Sequence, residues 1–123
     1  MTVAKAITAM DLAVGDALPT VEFVATLTSL VMYAGATWDF HRYHYDSAFV
    51  KALGMPAPFM DGQMVGALLA RQLMQWGGPD AFVRKLSYRQ RATVYVDDTI
   101  TIGGKVTDMT VEKGKPLAVF NLS

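Results

Sequence analysis

Asp39 and His44 are the pair of side chains in this sequence best suited to chemistry. They lie in "WDFHRYHYD", Trp38 to Asp46, which holds both histidines of the chain. A carboxylate and an imidazole that converge on one water can make and shuttle a proton near neutral pH. Their segment is not patterned as regular helix, so a loop can aim both at one point. The same spacing also suits an aspartate that only bonds a neighbouring amide in a turn. A metal is the other alternative, with Asp39, His41 and His44 as ligands, but the chain has no further histidine to support it.

A third group lies downstream. "PAPFMDG" runs directly into a helical pattern, which places Gly62 near a helix start. Amides there are unpaired, and the helix dipole favours negative charge. Glycine lets a substrate oxygen approach that backbone closely. Gly62 then offers an oxyanion site opposite the Asp–His water. Alternatively it is only a start signal, with Asp61 as its cap.

The elements that must position these groups follow from periodicity. After the turn "VGDALP", Val21, Phe23, Ala25 and Leu27 alternate with polar residues and predict a half-buried strand. Thr28 or Ser29 is expected to cap a short helix, "LVMYAGATW", that delivers the chain to Asp39. "DSAFVKALG" predicts a second helix, stopped by Gly54 and Pro56. The longest helical pattern runs from Gly62 to Trp76, with Met64, Val65, Leu68, Leu69, Leu73 and Trp76 at helical spacing. From Phe82 the even positions Leu86, Tyr88, Ala92, Val94 and Val96 alternate with cationic ones and predict a strand. "DDTITIGGKVT" and "PLAVFNL", joined by "EKGK", predict two more. The expected class is α+β, a long helix wrapped by a curved antiparallel sheet.

Composition bounds the function. A chain of 123 residues, 52% hydrophobic, fits a single domain spanning residues 1–123. Eleven basic residues balance eleven acidic ones, which gives no field to attract nucleic acid or an anionic membrane. Without cysteine there is no disulfide, thiolate nucleophile or zinc-thiolate site. "MTVAKAITAM" lacks a signal-peptide pattern, and no apolar run reaches membrane-spanning length, so a cytoplasmic protein is expected.

On these residues the sequence resembles the MaoC-like (R)-specific enoyl-CoA hydratases and 3-hydroxyacyl dehydratases of the hot-dog fold. Their signature is Asp-Phe-Asn-Pro-x-His, a helix and loop, then His-Gly-Met opening the central helix. "DFHRYH", "SAFVKALGMPAP" and "DGQM" match it in order and spacing. The resemblance implies water addition to, or removal from, a trans-2-enoyl-CoA or (R)-3-hydroxyacyl-CoA thioester. It makes His44 the base, has Asp39 orient the water and share the proton delivered to Cα, and sets the Gly62 amide on the enolate oxygen. It implies no cofactor, coenzyme A being part of the substrate, and no metal.

The departures are specific. His41-Arg42 replace the Asn-Pro, Asp61 replaces the His before glycine, and Ala70 stands where a serine is common. The sequence ends at Ser123, where relatives usually carry another strand; either a sheet edge is left for a partner to cover or the sequence is a truncated piece. The lead-in and "QWGGP" look closest to small actinobacterial-type MaoC subunits, some of which pair with a second subunit on steroid-derived or long-chain acyl-CoAs. The resemblance thus implies a homodimer, or a heterodimer with another MaoC-like subunit. The retained motif places this chain on the catalytic side. A non-catalytic acyl-binding subunit and a hot-dog thioesterase are the alternatives.

Met60 and Asp61, beside Gly62, and Lys85 and Arg89, on a cationic row with Arg84 and Arg91, are the substrate-binding candidates. Solvated strand faces carry the same charges, and Met60, Met64 and Trp76 equally suit a core.

Overall fold

The computed structural model describes residues 11–123; the leading segment, with its expected lack of a signal peptide, lies outside them. The order is β1 (Ala17–Val24), α1 (Leu27–Thr37), a 3₁₀ turn (Arg42–His44), α2 (Ser47–Ala52), α3 (Gly62–Gly77), β2 (Thr99–Glu112) and β3 (Lys115–Leu122). The class is α+β, as expected, with a three-stranded sheet ordered β1-β2-β3. No helix among the described residues is long and apolar enough to cross a membrane.

The chain divides into two compact units, each assembled from separated segments. The first contains residues up to Val21, Leu69–Leu86 and Thr101–Ser123. Leu18, Ile102 and Val106 are buried in it, and Trp76 meets Phe120 edge-on at 5.8 Å. Gln72 is buried too, and its Nε2 donates to the Pro19 carbonyl at 2.6 Å, so no polar atom is stranded. The β2–β3 hairpin turns on Lys113 and Gly114 with φ of 51° and 75°. Two consecutive positive φ values match the right-handed strand twist, and glycine takes one without strain. Pairing slips between Val106 and Asp108, leaving Thr107 as an extra residue on β2.

The second unit contains Glu22–Leu68 and Ser87–Ile100 and carries the candidate chemistry. Its buried side chains include Ala25, Leu30, Ala34, Val50, Met60, Met64 and Leu68. Leu30 and Ala34 are one helical turn apart, so α1 presents a single inward stripe. The cap of α1 is Thr26, not Thr28 or Ser29. Thr26 is extended and its Oγ1 accepts from the Ser29 amide at 3.1 Å, which satisfies the third amide of the helix. Leu27 therefore leaves the expected strand, which closes at Val24, and becomes the first helical residue.

The strand expected from Phe82 to Val96 does not form. Among the described residues only Tyr95 bridges, to Phe59, while Met60 N–H donates to Val94 O and Val96 N–H to Pro58 O, both at 2.8 Å. Alternation sets which side chains share a face, but a ladder also needs a neighbour, and among the described residues none runs beside 82–93.

α2 begins at Asp46, whose Oδ1 accepts from Phe49 N at 3.0 Å and whose Oδ2 takes Arg42 Nε at 2.9 Å. The Phe49 amide and then the Arg42 guanidinium hold this carboxyl below the ordinary carboxylate range. A depressed folded value means a contribution present above the unfolded value and lost as pH falls through the folded one. Asp46→Ala is expected to lower the melting temperature at neutral pH. The gap from wild type should close as scans move down through the carboxylate range; a constant gap would exclude this cap as its source.

Candidate active site

The loop after α1 is shaped by hydrogen bonds to its own backbone. Trp38 ends the helix in the left-handed region, with φ 58°, and turns the chain sharply. Asp39 N–H still reaches Ala34 O at 3.0 Å, so Asp39 is fixed against the end of α1. His41 caps the next turn, its Nδ1 accepting from Tyr43 N at 3.3 Å and its ring stacked 3.9 Å from Tyr43. It is exposed. The turn then delivers His44 inward.

His44 Nδ1 lies 2.8 Å from Phe59 O. A carbonyl only accepts, so Nδ1 must carry the proton and Nε2 of the neutral ring keeps its lone pair. Phe59 is itself placed by its amide, which donates to Tyr43 O at 3.2 Å, and its ring meets His44 edge-on at 5.4 Å. The imidazole is thereby held in the tautomer a base requires.

The structure brings Asp39 and His44 together and adds Asp61. One ligand atom from each lies within 4.8 Å of the other two. Leu30, Tyr33, Ala34 and Met64 complete a closed depression around them, with ≈ 0 Å³ of room for a water-sized sphere in this conformation. Neither carboxylate is salt-bridged among the described residues. Burial, then the charges of Asp61, Tyr88 and Asp39, push the Tyr33 phenol above its ordinary value, so at neutral pH it is a neutral hydrogen-bond donor. Of the three side chains weighed as metal ligands from sequence, His41 is taken up by capping and stacking, and the cluster that forms is Asp39, His44 and Asp61.

Asp61 also caps α3, its Oδ1 accepting from Gln63 N at 2.8 Å. The Gly62 N–H, first in the helix, has no acceptor among the described residues and is available to an oxyanion. Tyr88 donates to Gly62 O at 2.8 Å and lies across Gly66, where a Cβ would come 2.5 Å from its ring. Gly62 opens into a different depression from the dyad, a groove of about 320 Å³ lined by Phe59, Met60, Gln90, Arg91, Ala92 and Thr93. Phe59 links the two, its carbonyl accepting a hydrogen bond from His44 Nδ1 while the residue lines the groove.

The remaining candidates separate. Met60 is 1% exposed, so it is core and meets the groove only as its floor. Met64 is core as well. Of the cationic row, Arg91 lines the groove, whereas Arg84 is engaged by Glu112, and Lys85 and Arg89 are exposed outside both depressions. Tyr33, Tyr88 and Gln90 were not expected here. Tyr33 could have been found on the helical row with Leu30 and Ala34, but nothing local marked Tyr88 or Gln90.

Residues 12–120 match the family model of the MaoC like domain. The chain is 32% identical over 94 residues to the beta subunit of 3-oxo-4,17-pregnadiene-20-carboxyl-CoA hydratase from Mycobacterium tuberculosis (strain ATCC 25618 / H37Rv), covering 76% of this chain and 73% of that one. It superposes on a chain of the ChsH1-ChsH2 complex from Mycobacterium tuberculosis with TM-score 0.76 and 30% identity, covering 80% and 78% of the two chains. An (R)-hydratase from A. caviae involved in PHA biosynthesis aligns with TM-score 0.77 at 22% identity, over 90% and 83%, a likeness of fold.

Proposed function

Because the chain belongs to the MaoC-like dehydratase family, a hot-dog fold, we propose that it is a hydro-lyase adding water to a trans-2-enoyl-CoA, or removing it from the (R)-3-hydroxyacyl-CoA. The observation that carries this reading is the His44 Nδ1 bond to Phe59 O, which leaves Nε2 basic beside Asp39. His44 Nε2 takes a proton from water as the water oxygen bonds to Cβ. The Cα–Cβ π electrons move toward the thioester carbonyl, and the enolate oxygen is held by the Gly62 N–H. Asp39 orients the water and shares the proton returned to Cα, so the thioester gains one H and one OH. Tyr33 adds a neutral donor to the same wall.

Crotonyl-CoA and a bulkier, steroid-side-chain enoyl-CoA test this, followed by loss of enoyl absorbance and by release of free thiol. Enoyl loss without thiol is expected. Thiol release would replace the reading with a thioesterase, and no change on either substrate, with a partner subunit present, would remove the activity.

A partner role is the second reading, favoured by the two mycobacterial relatives, one named a beta subunit and the other a complex. Residues 82–93 fit it, since a row of backbone groups with no ladder among the described residues suits pairing with another chain's strand. On this reading the partner is a second copy or another MaoC-like subunit.

A further inference from the structure

We propose that Tyr88 is a positioning residue for the Gly62 amide: its hydroxyl anchors the first peptide of α3, and position 66 is glycine so that it can. The peptide concerned joins Gly62 to Gln63, and side chains hold both of its polar ends. Its N–H donates to Asp61 Oδ1 at 2.8 Å, and its carbonyl accepts from the Tyr88 hydroxyl at 2.8 Å. A peptide unit is planar, so two bonds at opposite ends fix its orientation. Gly62 needs such support because it has no side chain to pack and glycine ranges widely in its dihedrals. The Gly62 N–H belongs to the preceding peptide, and it is aimed only as well as this plane is held.

The helix leaves a place for the hydroxyl. Helical geometry directs the Gly66 N–H at the Gly62 carbonyl, and that oxygen has a second lone pair for Tyr88. To reach it the ring lies across position 66. A Cβ there would come 2.5 Å from Tyr88 Cε1, 2.6 Å from the hydroxyl oxygen and 2.7 Å from Cζ. Any larger residue must therefore lift the ring off the carbonyl. Glycine inside a helix is destabilising relative to alanine, and the seated ring is what requires it.

Gln90 repeats the arrangement one turn earlier. A Cβ at Gly62 would close to 3.1 Å from Gln90 Oε1, and that carboxamide is held by its own segment, Nε2 donating to Ala92 O at 2.9 Å. Gly62 and Gly66 stand one turn apart, about 6 Å, a spacing that two residues of extended chain match at about 6.6 Å. Tyr88 and Gln90, two positions apart, are thus in register with the two glycines. No ladder forms along 82–93 among the described residues, so these side-chain contacts tie the segment to the start of α3.

The effect on rate rests on the hydratase reading; the anchor does not. Tyr88→Phe keeps the ring and removes only the hydroxyl, at an exposed position, so the fold is retained. Hydrogen exchange of backbone amides, followed by NMR on the full chain, is expected to quicken severalfold at Gln63 and Gly66. In the enoyl-CoA assay kcat should fall about tenfold while KM changes less than about twofold, since a misaimed oxyanion donor weakens the transition state and not ground-state binding. Gly66→Ala should lose as much, although alanine favours the helix. The double variant Gly66→Ala/Tyr88→Phe should be no slower than Gly66→Ala alone, because the added methyl has already unseated the hydroxyl. Unchanged exchange at both amides in Tyr88→Phe, or losses that add in the double variant, overturns the anchor. Faster exchange with unaltered kcat, in a protein that hydrates enoyl-CoA, overturns the positioning role. Faster exchange in Tyr88→Phe, when the wild-type protein hydrates no enoyl-CoA, supports the anchor and removes the hydratase reading instead.

Discussion

His44→Ala is expected to lose about three or more orders of magnitude in kcat/KM for enoyl-CoA hydration, and Asp39→Asn a comparable amount. A positioned general base is worth about 10²–10⁴, and in the proposed mechanism the same imidazole also returns a proton, so its removal would disable both halves of the addition. Groups that act as a unit are not additive, so the double variant should be little worse than the worse single one. The loss belongs in kcat, because neither side chain lines the groove beside Gly62. His44→Ala also strips a hydrogen bond from Phe59 O. His44→Gln can still donate there but cannot serve as a base near pH 7, so equal loss in both variants assigns the defect to proton transfer. His41→Ala is the internal control. That ring only caps a turn and stacks on Tyr43, and a few-fold effect is expected. A near-wild-type rate in Asp39→Asn or His44→Ala would remove that residue from the mechanism.

What the sequence disclosed and what it concealed follow one division. Elements closed by local chemistry were legible: α2 between Asp46 and Gly54, α3 from Gly62 to the glycines after Trp76, and the β2–β3 turn at Lys113-Gly114. So was the meeting of Asp39 with His44, since a short loop links them. The strand from Phe82 was not, because alternation cannot tell whether a partner strand exists. The α1 cap slipped from Thr28 or Ser29 to Thr26, because three neighbouring hydroxyls compete and backbone dihedrals decide among them. Asp61 read as a cap, and it is one. Its second role beside the dyad needs a tertiary closure through Phe59 that no spacing rule encodes.

Gly104→Ala is expected to destabilise the fold by about 2–3 kcal/mol, read as a lower urea midpoint at unchanged slope. A Cβ at Gly104 would lie 2.6 Å from the Asn121 carbonyl oxygen and 2.9 Å from Leu122 Cδ2. The leucine tip can rotate, but the carbonyl belongs to the backbone of β3, where Gly104 pairs with Leu122 and Lys105 with Asn121. Making room means moving the end of β3 outward, and the neighbouring bonds go with it: Gly103 N–H to Ser123 O at 2.9 Å and Ser123 N–H to Gly103 O at 3.0 Å. Gly103 separates this clash from the general effect of a strand glycine. Its added Cβ meets only Thr20 Oγ1, at an ordinary 3.5 Å, so Gly103→Ala should be neutral or slightly stabilising through the lost freedom of the unfolded chain. If the two substitutions shift the midpoint equally, close approach of the β3 backbone is not what requires glycine at 104.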